Sequence, residues 1–304
     1  MSTRAPKSRT ASPKRTRQAK PSAKPPDKPL GVAVQHSLRL LNRMAAEARH
    51  TLLAADVEAV HDLRISIRRL MASLDLFDAG LGEHGGRKIR KRIKKLLDFA
   101  GAVRDCDVAA KYVEKFGTVP QESAQLLAAI QARRNESVPA LLAGLQDRID
   151  RQSIAKWRAK LRTAPGNGEV EETAREILDQ MFQEFMKRGQ KAANPHASGR
   201  QLHHFRIAAK SLHYGLELPV APENPAWMEG AKAVQKLVGE IHDCEAVRAL
   251  IAGMPGSEGV TKALRHRQAK KRSQFRDLWN LHLAGVPGTC TPAQMEPAAE
   301  TAGA

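Results

Sequence analysis

The sequence predicts an all-α fold, and three observations carry that reading. Apolar residues recur at three- and four-residue spacing in one segment after another, the period of a helix packed on one side. No stretch sustains the every-other-residue alternation of a half-buried strand. One residue pattern occurs twice in the same order, which marks an internal duplication of a helical unit.

Residues 1–29 are Lys, Arg, Ser, Pro and Ala with almost nothing to bury, and are expected to form a disordered basic tail. Its blander role is to solubilise; its functional role would be an arm that raises local affinity for a polyanion. From Leu30 to Ala54, residues Val34, Leu38, Leu41, Ala45, Ala48 and Leu52 give the first helix. Asp56 is placed to cap the second, and Gly80 and Gly82 to end it. In that helix Leu63, Ile67, Leu70, Leu74 and Phe77 fall on one face. His61, Arg64 and Arg68 fall on another, with Arg69 just off the stripe.

A polybasic nonamer, Arg87 to Lys95, follows with seven cations. Wound as a helix it puts Arg87, Arg90, Lys91 and Lys94 together and turns Ile89, Ile93 and Leu96 inward. Gly101 is expected to break this helix, with Asp105 or Asp107 capping its restart. Helical patterns then run over Gln121–Leu145 and Asp147–Leu161, as two helices or one. Pro165-Gly166-Asn167-Gly168 reads as the linker between a first unit, residues 30–163, and a second, residues 169–285. The second unit carries helical patterns at Val170–Lys191, Gly199–Leu218, Ala226–Ala252 and Gly256–Leu283, punctuated by Pro195, Pro219, Pro222 and Pro255. Residues 286–304 read as a second disordered tail.

The duplication is explicit in two markers. His61, Arg64, Arg68 and Leu70 are matched by His203, Arg206, Lys210 and Leu212. Gly101-Ala102-Val103-Arg104-Asp105-Cys106-Asp107-Val108 is matched by Gly239-Glu240-Ile241-His242-Asp243-Cys244-Glu245-Ala246. A solvated helix face need not keep its His and its cations through a duplication; two halves that use those faces jointly would. Arg104, Asp105, Asp243 and Glu245 are assigned a structural role, and Lys270, Lys271 and Arg272 a solvated face.

These residues resemble the CHAD family, the conserved histidine α-helical domain. Its signatures are similar to His-x-x-Arg-(Val/Ile)-x-x-(Arg/Lys)-(Arg/Lys)-Leu-Arg, each followed by a Leu-Gly-x-x-Arg-Asp-x-Asp turn. The resemblance covers residues 30–285. It implies two four-helix bundles related by a pseudo-twofold axis, a basic central groove, binding of inorganic polyphosphate and a destination at polyphosphate granules. Met71 and His213 stand where the signatures have Arg, and Ser211 replaces a Lys or Arg, so the second half should contribute less charge. The residues expected to bind polyphosphate are His61, Arg64, Arg68, Arg69, Arg87, Arg90, Lys91 and Lys94, with His203, Arg206, Lys210, Tyr214, Lys232 and Lys236 from the second half.

Composition agrees with a polyanionic partner. Net charge is +18. Residues 1–28 hold nine Lys/Arg and one Asp, and residues 286–304 hold only two Glu, so the stretch between them keeps +12. Aromatic residues are 4% of the chain, and only Tyr214 and Phe205 stand among the basic helices. Phosphate contact without base stacking is therefore favoured, with a nucleic-acid binder using the tail and the nonamer as the alternative. The polar stripes carry almost no carboxylates and no Gly-rich phosphate loop appears, so no catalysis and no cofactor are expected. A metal between His61 and His203 would be surrounded by Arg64, Arg68, Arg206 and Lys210, whose like charge argues against it. Cys106, Cys244 and Cys290 lack Cys-x-x-Cys spacing, and the first two are expected as small buried side chains. No apolar run has transmembrane length, and a cytoplasmic protein is expected.

Overall fold

The computed structural model describes residues 31–77, 85–163, 168–219 and 225–283. The two tails, the Gly80 and Gly82 stop, Pro222 and the Pro165–Asn167 part of the linker lie outside the described residues. Those residues form nine helices and no strand: α1 Val32–Leu53, α2 Val57–Leu76, α3 Gly85–Phe116, α4 Pro120–Arg148, α5 Arg151–Arg162, α6 Gly168–Ala192, α7 Gly199–Leu216, α8 Pro225–Ile251 and α9 Ser257–His282.

The local signals account for most boundaries. Asp56 caps α2 by accepting from the Ala59 amide at 2.8 Å, and Ser198 and Gln201 form a capping box at the start of α7. The segment after α4 is not continuous with it. Asp150 accepts from the Ser153 amide at 2.6 Å and starts α5 afresh.

The expectation at Gly101 is overturned. α3 runs through it without interruption for 32 residues, and neither Asp105 nor Asp107 is a cap. A methyl at position 101 would meet Arg64 Nη1 at 3.0 Å, so this glycine makes room for a neighbouring side chain. Asp107 is buried and accepts from Arg134 Nε at 2.6 Å; Arg134 Nη2 also donates to the Ala55 carbonyl at 2.8 Å.

Three apolar clusters hold the helices. The first joins α1, α2, the N-terminal half of α3, the end of α4 and α5 around Leu41, Met44, Leu96 and Leu145. The predicted stripe Leu63, Ile67, Leu70, Leu74 and Phe77 lies entirely within it. The second joins α6, α7, the start of α8 and the end of α9. Here Phe205 packs against Phe185, Phe275 and Trp279, with ring centroids 5.1–5.4 Å apart. Phe205 is thus a core residue and is withdrawn from the aromatics near the basic face. The third cluster draws on both halves: Cys106, Ala109, Val113, Leu126 and Ile130 from α3 and α4, and Cys244, Val247, Ile251, Val260 and Leu264 from α8 and α9. A core shared between the halves was not anticipated from the sequence. The burial expected of Cys106 and Cys244 holds.

Lys271 and Arg272 are not a solvated face. Lys271 Nζ lies 2.9 Å from Glu240, and Arg272 donates to the Ala197 carbonyl.

Candidate functional site

α2 packs on α7, and α3 on α8, so each marker helix lies against its counterpart from the other half. On α2 the i, i+3, i+7 spacing puts His61, Arg64 and Arg68 on one stripe; on α7 the same spacing does so for His203, Arg206 and Lys210. The two stripes share one electrostatic neighbourhood. Arg68 acts on both Arg206 and Lys210, and Arg206 acts on Arg64. Arg64 also crosses to α3, where its Nη1 donates to the Leu97 carbonyl at 3.3 Å.

Gathering cations in a half-buried place raises the cost of their charge. Burial first, then the Arg68 guanidinium, pushes Arg64 down to about 10. The same two causes lower Arg206. Burial, then Arg68 and Arg206, pushes Lys210 down to about 6, against an ordinary 10.5. Asp105 opposes this at Arg64 and Arg206, and Asp243 at Arg206 and Lys210. Cations remain in excess of these two carboxylates. Two guanidinium donors here, Arg104 Nη1 and Arg206 Nε, are buried with no hydrogen-bond partner among the described residues; His242 Nδ1, also buried without one, lies 3.7 Å from Asp243.

The histidines flank this cluster. Burial, then Arg104, lowers the pKa of His61; Lys111 adds to the effect, while Asp62 and Glu58 oppose it. Burial, then His242, lowers that of His203, with Arg206 and His204 adding and Glu245 opposing. Each marker histidine therefore sits beside the second marker of its own half, at the equivalent residues Arg104 and His242.

The remaining sequence candidates divide. Arg69 is committed: its Nε and Nη2 donate to the two Glu217 carboxylate oxygens at 2.7 and 2.9 Å. His213 Nε2 lies 3.5 Å from the same carboxylate. Arg90 is ion-paired with Asp75 of α2, and Arg87 is also engaged. Lys91 and Lys94 are exposed on α3, with Lys94 in register with Arg90, Gly101 and Arg104, and Lys91 turned about 100° off Arg90. Tyr214 is half-buried and within electrostatic reach of Arg69 and Arg206. Lys232, exposed on α8, acts on His213; Lys236 is exposed one turn later.

Sequence reasoning missed Arg104, Asp105, His242 and Asp243, having given three of them a structural role and the fourth none. It also read the polar stripes as nearly free of carboxylates, whereas Asp75, Asp105, Asp243 and Glu217 border the cationic residues. For Arg104, Asp105, His242 and Asp243 the signal was available, because they belong to the second duplicated marker.

A family model described as "CHAD domain" matches residues 36–252. Among solved structures, the chain is similar to the crystal structure of the CHAD domain from the plant Ricinus communis. The TM-score is 0.61 at 20% identity, covering 88% of this chain and 93% of that one. It is also similar to PptA from Streptomyces chartreusis, with a TM-score of 0.61 at 14% identity, covering 82% of this chain and 98% of that one. At these identities the two structures speak to the fold alone. No curated protein matches the chain significantly.

Proposed function

The chain belongs to the CHAD domain family, and from that premise we propose that it is a non-catalytic receptor for inorganic polyphosphate. The observation that carries the proposal is the crowding of Arg64, Arg68, Arg206 and Lys210 from two repeats at one helix crossing. Holding them together costs stability unless an anion is bound, through repulsion among the arginines and through the lost protonation of Lys210. Arg forks onto phosphate oxygens and Lys meets them as a point charge, so a string of phosphates answers both the charge and the unpaired donors. In this reading the string lies along the cationic stripes of the α2–α7 crossing, and polyphosphate granules in the cytoplasm are its destination. Asp75 and Glu217 are taken up by Arg90 and Arg69, and among the described residues no three His, Cys, Asp or Glu side chains are grouped to hold a metal ion for phosphoryl transfer.

Calorimetric titration with long-chain polyphosphate tests the proposal, comparing the intact chain with Arg64→Ala/Arg206→Ala. The expected result is at least a hundredfold loss, with a shallower salt dependence. Equal affinity in the two proteins would overturn it. Competition by duplex DNA of equal phosphate content separates this reading from a nucleic-acid binder that uses the basic tail and the polybasic stretch Arg87 to Lys95. Incubation with magnesium or manganese should release no phosphate.

A further inference from the structure

The helix crossing is not the end of the basic surface. The His242 ring lies 6.1 Å from that of His203, and the His203 ring lies 6.2 Å from that of His204. This row steps from α8 across α7, and its last member lines an open cavity of about 250 Å³ between α6 and α7. Lys187, Arg188, Lys191, Gln201 and Glu184 complete the lining. Glu184 is neutralised locally, because Arg188 Nε donates to it. Arg188 Nη1 also donates to the His204 carbonyl at 3.4 Å. Lys187 and Lys191 are exposed one turn apart on α6 and so present two mobile ammonium groups to the same cavity.

The first half differs at the equivalent position. Asp62 occupies the position equivalent to His204, and Asp62 and Glu58 both act on His61. A phosphate chain leaving past His61 would meet these two carboxylates beside the cations Arg104 and Lys111. A chain leaving past His203 meets one carboxylate, Glu245, and then His204 and the lysines.

We propose that a phosphate chain longer than the crossing can hold leaves by the second half only, and that the α6–α7 cavity binds its overhanging phosphates. This inference rests on the polyphosphate reading above, and its test is built to fail separately. Lys187→Gln/Lys191→Gln removes two exposed charges without touching a core residue. The probes are long-chain polyphosphate and tripolyphosphate, titrated into the full chain at one salt concentration and then across a salt series. We expect the double variant to bind long chains three- to tenfold more weakly, with a smaller salt slope, and tripolyphosphate as before. Arg64→Ala/Arg206→Ala should weaken both probes. Unchanged long-chain affinity in the lysine variant, with the arginine variant still defective, would overturn the cavity and leave the function standing. Equal loss of both probes in the lysine variant would also overturn it, since a general field would then suffice. An arginine variant that binds normally would sink the function itself.

Discussion

Lys210 should be a liability to the free protein and an asset to the complex, and replacing it with Met separates the two. In the folded chain Lys210 is depressed from 10.5 to about 6 by burial, by Arg68 and Arg64 on α2 and by Arg206 on its own helix; only Asp243 of α8 opposes this. Between those two values the unfolded state holds a proton that the folded state has released, so this residue makes stability rise with pH across the window. At pH 7 the folded protein forgoes the protonation that the unfolded chain enjoys down from 10.5. At ~1.4 kcal/mol per unit this is a cost of about 5 kcal/mol as a ceiling. Recovering a quarter of that in Lys210→Met would raise the melting temperature by roughly 3–5 °C for a domain of this size. The gain should shrink as pH climbs toward 10.5, above which Lys210 is neutral in both states.

Polyphosphate binding reverses the balance. A phosphate beside Lys210 favours its charged form, so the free protein, with Lys210 mostly neutral at pH 7 on a pKa of about 6, takes up a proton on binding. Affinity then falls with pH above 6, by up to tenfold per unit. Titrations at pH 7 in buffers of different ionisation enthalpy read the proton directly, and a pH series from 6.5 to 8.5 reads the slope. His61 and His203, lowered in the free state, also charge on binding and steepen the acid end. Lys210→Met should therefore keep the histidine contribution and lose the rest. Heats that do not depend on buffer, or a Lys210→Met protein that melts earlier than the parent, would refute this reasoning.

Two further substitutions act at the border of the site. Glu217→Gln removes the carboxylate that holds Arg69; it should cost about 1 kcal/mol in chemical denaturation, because the pair is partly exposed. It should also tighten polyphosphate binding several-fold as the Arg69 fork is freed, and weaker binding would mark Glu217 as a structural staple only. Gly101→Ala supplies the better helix former, worth roughly 0.5–1 kcal/mol, but pushes on Arg64 Nη1. We expect stability unchanged or improved and affinity reduced, measured beside Gly239→Ala, where an added methyl meets nothing within 4 Å. Equal affinity in the two variants would show that the Arg64 position does not matter.

The parts legible in the sequence were those set by local periodicity. Leu63, Ile67, Leu70 and Leu74 announce a buried stripe because the helical period alone brings them together. The cap at Asp56 is equally local. What stayed hidden depends on partners far along the chain. Arg69 looks like another free cation until Glu217, 148 residues away, is placed beside it. Gly101 reads as a break because the local rule sees its missing side chain and cannot see Arg64 approaching it. Lys271 and Arg272 look solvated for the same reason, their acceptors being Glu240 and the Ala197 carbonyl on other elements.

Holding like charges together demands a scaffold that cannot relax by sliding the helices apart, and the second marker shows how one is supplied. In Arg104-Asp105-Cys106 and in His242-Asp243-Cys244, the first two residues face the cationic cluster while the third enters the shared core. One residue of helical rotation thus separates charge from packing on each of α3 and α8. The core reached by those cysteines continues through Ala109 and Val113 on one side and Val247 and Ile251 on the other. Parting the halves to relieve the repulsion would expose that apolar surface, at about 25 cal/mol for each Å². The repulsion is therefore retained in the empty protein, where a bound anion can draw on it. This accounts for a marker that places a guanidinium or an imidazole, a carboxylate and a small apolar residue in consecutive positions in the two copies.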